Sequence, residues 1–101
     1  MMRIAPPPPP VKNGEEATMK GKIKLPGYYS ENLQIYMFAT YNNTEYRFVM
    51  NFDKPKLYRK VRSFVFNNHK RKILVFGTWY SDSLNSFCTK ITSDTQVTAE
   101  D

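Results

Sequence analysis

Residues 33–52, LQIYMFATYNNTEYRFVMNF, carry the strongest structural signal in the chain. Two runs flank Asn42-Asn43, a pair that tolerates positive φ and therefore suits a two-residue hairpin loop. With those asparagines as the loop, Tyr41 faces Thr44, and the register follows down both strands. Leu33, Ile35, Met37 and Ala39 then share one face with Phe52, Met50, Phe48 and Tyr46. A slip of one residue would turn that whole set to the other side, so the apolar face pins the pairing. The opposite face sets Gln34 against Asn51, Tyr36 against Val49, Phe38 against Arg47 and Thr40 against Glu45. Tyr36, Phe38 and Arg47 are thereby predicted to lie side by side on a face that is not the core.

Upstream, residues 19–25 alternate, with Met19, Gly21, Ile23 and Leu25 on one side and Lys20, Lys22 and Lys24 on the other. That is a half-buried strand with a lysine outer face. Pro26-Gly27 stops it, and the following loop carries Tyr28 and Tyr29. Downstream, Asp53-Lys54-Pro55 reads as a helix start, with an Asp able to cap and Pro in the first turn. Leu57, Val61, Phe64 and Val65 follow at i, i+4, i+7 and i+8, the apolar stripe of a helix resting on a core. Lys56, Arg59, Lys60 and Arg62 lie off that stripe, and Asn67-Asn68 end it. Residues 73–80 are apolar on both faces apart from Gly77 and Thr78, which predicts a strand covered on both sides with a bulge or bend at the glycine. Residues 81–86 form a polar loop and residues 87–92 a closing strand.

The chain is thus expected to hold a proline-rich arm over residues 1–17, one mainly β domain with a single helix over 18–94, and a disordered tail over 95–101. A length of 101 residues leaves room for one core only. No apolar run approaches the roughly 20 residues of a membrane span, and no apolar segment precedes the prolines as in a secretory signal. Cys88 is the sole cysteine, which removes an internal disulfide framework and a cysteine zinc cluster and fits a reducing compartment, cytoplasm or nucleus.

Charge and aromatic content bear on the ligand. The net charge is +6, but residues 17–94 alone hold 13 Lys and Arg against 5 Asp and Glu, so the body is more basic than the whole. A field of that sign steers polyanions. Aromatic residues make up 15% of the chain, more than so small a core needs. A basic surface interleaved with aromatics is the signature of single-stranded DNA or RNA binding, whereas a basic surface alone is equally a solvated face. The chain lacks a Gly-rich phosphate loop, a paired-carboxylate constellation and a metal-ligand set, so neither catalysis nor a cofactor is expected.

Three strands, a helix and two strands is the element order of the oligonucleotide/oligosaccharide-binding (OB) fold, a five-stranded Greek-key barrel. Arg71-Lys72-Ile73-Leu74-Val75-Phe76-Gly77-Thr78-Trp79, a polar loop, and Ser86-Phe87-Cys88-Thr89-Lys90-Ile91 resemble the last hairpin of bacterial single-stranded-DNA-binding proteins of that superfamily. The chain differs from them in lacking an arginine-rich insertion and an acidic partner-binding tip. The resemblance implies a ligand crossing the second and third strands, between the first loop and the last. On this chain those positions are Tyr28 and Tyr29, then Tyr36, Phe38 and Arg47, then Trp79 and Tyr80.

Each candidate has a plainer alternative. Tyr36, Phe38 and Arg47 either stack bases and hold phosphate or simply stabilise the sheet. Trp79 either stacks or caps the barrel, with Tyr80 pointing the other way. Lys20, Lys22 and Lys24 either form a phosphate track or blunt an edge strand, and Lys70, Arg71 and Lys72 either contact phosphates or form a charged turn. Two rival functions remain: an OB-like interaction subunit of a replication-type complex, docking a larger protein partner on an apolar patch of Tyr36, Phe38 and Val49, or a small accessory protein inhibiting such a machine. Pro6 to Pro10 is either a ligand for a proline-recognition domain or a stiff spacer.

Overall fold

The computed structural model describes residues 7–24, 29–30 and 32–101. Its strands are β1 (Glu15–Gly21), β2 (Tyr29–Ser30), β3 (Gln34–Tyr41), β4 (Thr44–Phe52), β5 (Ile73–Ser83), β6 (Ser86–Ile91) and β7 (Val97–Ala99). One helix, α1 (Pro55–Asn67), separates β4 from β5, and a 3-10 turn, Asp94–Gln96, precedes β7. Among the described residues, no helix is long and apolar enough to cross a membrane.

The β3–β4 hairpin forms as its sequence dictates. Asn42 and Asn43 both take left-handed φ, 50° and 65°, and pairing runs from Tyr41↔Thr44 to Gln34↔Asn51 with no irregularity. β6 adds to β4 in parallel and β5 to β6 antiparallel; β1 then joins the far edge of β5. The sheet curls until β1 meets β3, where Lys22 and Phe38 exchange two backbone hydrogen bonds of 2.8 and 2.9 Å. The result is an OB-like five-stranded Greek-key barrel of β1, β3, β4, β5 and β6, in the chain order β-β-β-α-β-β. β2 pairs with the outer edge of β3, and β7 with the first residues of β5.

Two glycines permit this closure. A Cβ on Gly21 would lie 2.6 Å from Met37 Cγ and 2.7 Å from the Phe38 carbonyl oxygen, so only glycine lets β1 approach β3 so closely. A Cβ on Gly77 would overlap the Thr89 hydroxyl, which instead donates to the Thr78 carbonyl at 2.7 Å. At Gly77 the second edge of β5 passes from β7 to β6, and Thr89 and Gln96 bridge the gap; Gln96 Nε2 donates to the Phe76 carbonyl at 2.9 Å. No bulge falls at Gly77, which pairs regularly with Ala17; the irregularity of β5 lies at Ser81–Ser83.

The interior holds Ile35, Met37, Phe48, Met50, Ile73, Val75, Trp79 and Ile91. Burying each such side chain contributes roughly 1.5–3 kcal/mol. Phe48 is the hub, with its ring edge-on to Trp79 at 5.4 Å and stacked on Phe87 at 6.1 Å.

Several local expectations are corrected. β1 starts at Glu15, earlier than residue 19, because the weakly patterned Glu15–Thr18 is zipped to Trp79–Phe76 of β5. Val11, placed in the arm, is fully buried; behind it Asn13 accepts a hydrogen bond from the Ser81 amide (2.9 Å) and the Gly14 amide donates to Trp79 (2.6 Å). The C-terminal stretch read as a tail forms the 3-10 turn and β7. Lys54, not Asp53, occupies the N-cap without a side-chain cap; Asp53 bonds Lys90 at 2.5 Å instead. The buried stripe of α1 is Tyr58, Val61 and Val65, leaving Phe64 exposed, because Tyr58 packs edge-on against Phe52 at 5.5 Å. β5 is covered on one face only: Phe76 and Tyr80 are exposed where a doubly buried strand was expected. Leu25 and the Pro26-Gly27 stop lie outside the described residues.

Candidate functional site

Barrel closure brings together two rows of side chains that are distant in sequence. The outward residues of β1 and its extension are Lys20, Lys22 and Lys24, and the outward residues of β3 are Tyr36, Phe38 and Thr40. Because Lys22 pairs with Phe38 across the closure, the lysines run alongside the aromatics. Pairing carries the same surface onward, Phe38 to Arg47 to Ser86 in one row and Tyr36 to Val49 to Cys88 to Tyr80 in the next.

Tyr36 and Phe38, two of the three aromatic rings of β3, each carry a cation. Lys24 Nζ sits 4.3 Å from the Phe38 ring centre and also bonds both Glu45 oxygens at 3.2 Å. The Arg47 guanidinium lies 5.2 Å from the Tyr36 ring centre, pinned by its Nε to Ser86 Oγ at 3.0 Å. Tyr36 in turn donates its hydroxyl to Gln34 Oε1 at 3.0 Å, and Gln34 donates to Asn51 at 2.7 Å. Val49 lies beneath, 1% exposed, so the open apolar patch of Tyr36, Phe38 and Val49 expected for a protein partner does not exist.

Beside this face lies a groove of about 440 Å³, walled by Lys20, Lys22 and Lys72 and floored by Phe38, Thr40 and Tyr41. Lys20 is engaged by Glu100 at 2.5 Å, and the Glu100 amide donates to the Lys72 carbonyl at 2.8 Å. The hydrogen bond from Lys20 holds the Glu100 carboxyl below its usual range, with Lys72 adding a weaker attraction. An intrinsic anion therefore already occupies one rim of the groove.

The remaining candidates divide. Tyr80 is 53% exposed at the end of its row. Trp79 is fully buried and donates its indole N–H to the Ala17 carbonyl at 3.0 Å, so it is core and not available to a ligand. Arg71 is spent on structure: its guanidinium donates to the carbonyls of Glu100 and Ala99, to Asn68 Oδ1 and to Asp101, clamping the end of the chain. Lys70 is exposed in the link between α1 and β5 and does not itself line the groove. Tyr29 belongs to β2 opposite Ile35, and Tyr28 lies outside the described residues.

No known protein family, curated protein or solved structure matches this chain. What the face can do follows from its own chemistry. Cations seated over aromatic rings place positive charge and flat apolar surface side by side. Cys88 is half-buried, with its thiol pushed up by burial and by Asp82, which leaves it a poor nucleophile. Among the described residues, no three His, Cys, Asp or Glu side chains gather to hold a metal.

Reasoning from sequence offered Lys72 as a phosphate contact but missed Thr40 and Tyr41 as groove residues. No local signal marks them, since their proximity to Lys20 exists only once β1 crosses to β3.

Proposed function

We propose that this chain is a non-catalytic module for single-stranded DNA or RNA, needing no cofactor. The observation that carries the proposal is the meeting of the β1 lysines with the aromatic face of β3 along the groove. Phosphates follow Lys20, Lys22 and Lys72. A base stacks at Phe38 by displacing the groups the ring now contacts, Lys24 among them. Tyr36 is less open to stacking, because Arg47 above it is pinned to Ser86; its role is to seat Arg47, whose guanidinium has further donors for phosphate. Sequence preference should be low, because every base offers a π-face.

The test is anisotropy of a labelled mixed oligonucleotide, single- and double-stranded, at low and physiological salt. Single-strand binding with a steep salt slope, weakened by Phe38→Ala, supports the proposal. Absence of binding at low salt, where counterion release most favours it, removes it.

A second reading, an interaction subunit of a nucleic-acid-processing complex or an inhibitor of one, draws on Phe76 and Tyr80, exposed by 46% and 53% on β5. Protein would dock there and not on β3. The proline run adds a possible contact with a proline-recognition domain, since Pro7 to Pro9 are exposed just before the buried Val11. A lone, half-buried thiol suits the reducing environment of cytoplasm or nucleus.

A further inference from the structure

Helix α1 contains Lys56, Arg59, Lys60 and Arg62 and no acidic residue. Lys60 is neutralised by Asp94 at 2.5 Å, but among the described residues no carboxylate bridges Arg59 or Arg62. Those two arginines, with Ser63 and Phe66, surround a shallow depression of about 400 Å³ on the side of the helix turned away from the core. Arg62 rests over the Tyr58 ring at 5.3 Å, which gives its guanidinium a fixed seat. Phe66 is 53% exposed, an aromatic with no core function, and its ring lies 6.2 Å from His69. Like the groove, the depression sets cations beside an aromatic ring, here two arginines beside Phe66.

The two sites are also joined along the chain. From Phe66 the backbone passes His69 and the exposed Lys70 to Lys72, which already walls the groove. Arg59 and Phe66 are seven residues apart on one helix, about 10 Å of axial rise. We infer that α1 carries a second contact region for the same single strand, entered past Lys70 and ending at Arg59, so that the protein holds a longer segment than its groove alone accommodates. This rests on the nucleic-acid reading above. Single-strand sites on such barrels span roughly 4–16 nucleotides; the groove alone belongs at the low end of that range, and groove plus helix at the high end.

The experiment compares labelled oligo-dT of about 6 and about 16 nucleotides, lengths chosen to bracket that range, on the full chain and on variants at exposed positions. The Arg59→Gln/Arg62→Gln pair and, separately, Phe66→Ala should each weaken the longer oligonucleotide by about tenfold, as expected for loss of one stacked base or its phosphate contacts. The shorter one should bind as before. Phe66→Ala leaves the charge unchanged, so its loss cannot be a change in the overall field. Circular dichroism confirms that α1 is intact in each variant. Equal weakening of both lengths, or no weakening of either, overturns the inference while leaving the groove reading standing. If neither length binds the parent protein, the groove reading fails first. Capture of a poly-glutamate peptide by the Arg59–Arg62 region with the affinity of the longer oligonucleotide also overturns it, in favour of an acidic protein partner.

Discussion

The barrel presents two outward pairs of aromatic residues, and they differ in what surrounds them. Tyr36 and Phe38 on β3 each lie under a cation, beside three lysines. Phe76 and Tyr80 on β5 lie bare beside a largely uncharged wall that includes Thr78, Thr89 and Gln96. Residue type alone would give both pairs the same role. Their neighbours separate them: the first offers charge with a stacking surface, and the second offers apolar area without a field. Under the function proposed above, an anionic strand belongs on β3 and an uncharged or protein surface on β5.

The contrast can be broken most severely at the closure. Gly21→Val places side-chain atoms against Met37 and the Phe38 carbonyl, and should destabilise the fold by about 3 kcal/mol through overpacking. It should also abolish oligonucleotide binding by parting the lysines from the rings. Urea unfolding and anisotropy measure the two effects; parent-like values in both would show that the close approach of β1 to β3 is dispensable.

Phe38→Ala and Phe76→Ala sharpen the contrast directly. The first should weaken single-strand binding by about 2 kcal/mol, within the usual range for one stacked base, and the second should leave it unchanged. Equal losses would erase the distinction between the two faces. A smaller effect is expected for Lys22→Gln, which should reduce the salt slope of log K by about 0.7, the value for one phosphate contact on a single strand.

The smallest effect concerns the intrinsic anion. Glu100→Gln should tighten binding a few-fold by releasing Lys20. The Glu100 carboxyl is held below its usual range by Lys20, so its bridge is intact above the ordinary glutamate range and is lost as pH falls through the lowered value. Acidification through that window should therefore tighten oligonucleotide binding in the parent chain, and this component should be missing in the Gln variant. A parent and a variant with identical pH profiles would show that Glu100 does not compete for the groove.

Alternation and turn chemistry in residues 33–52 determined the hairpin, its register and its buried face, because each of those is settled by neighbours a few residues apart. The Tyr36, Phe38 and Arg47 cluster was legible for the same reason. The order of elements followed from hydrophobic periodicity along the chain, and the OB-like barrel from the resemblance of that order to the OB fold. What alternation could not reveal was which faces would be covered. Trp79 became core and Tyr80 stayed exposed, Tyr58 displaced Phe64 from the helix stripe, and Val11 and β7 were recruited from segments without periodicity. Each of those outcomes depends on contacts between residues far apart in sequence. The groove is the clearest case: Lys20, Lys72 and Phe38 acquire a common purpose only when β1, with glycine at its end, crosses to β3 and closes the barrel.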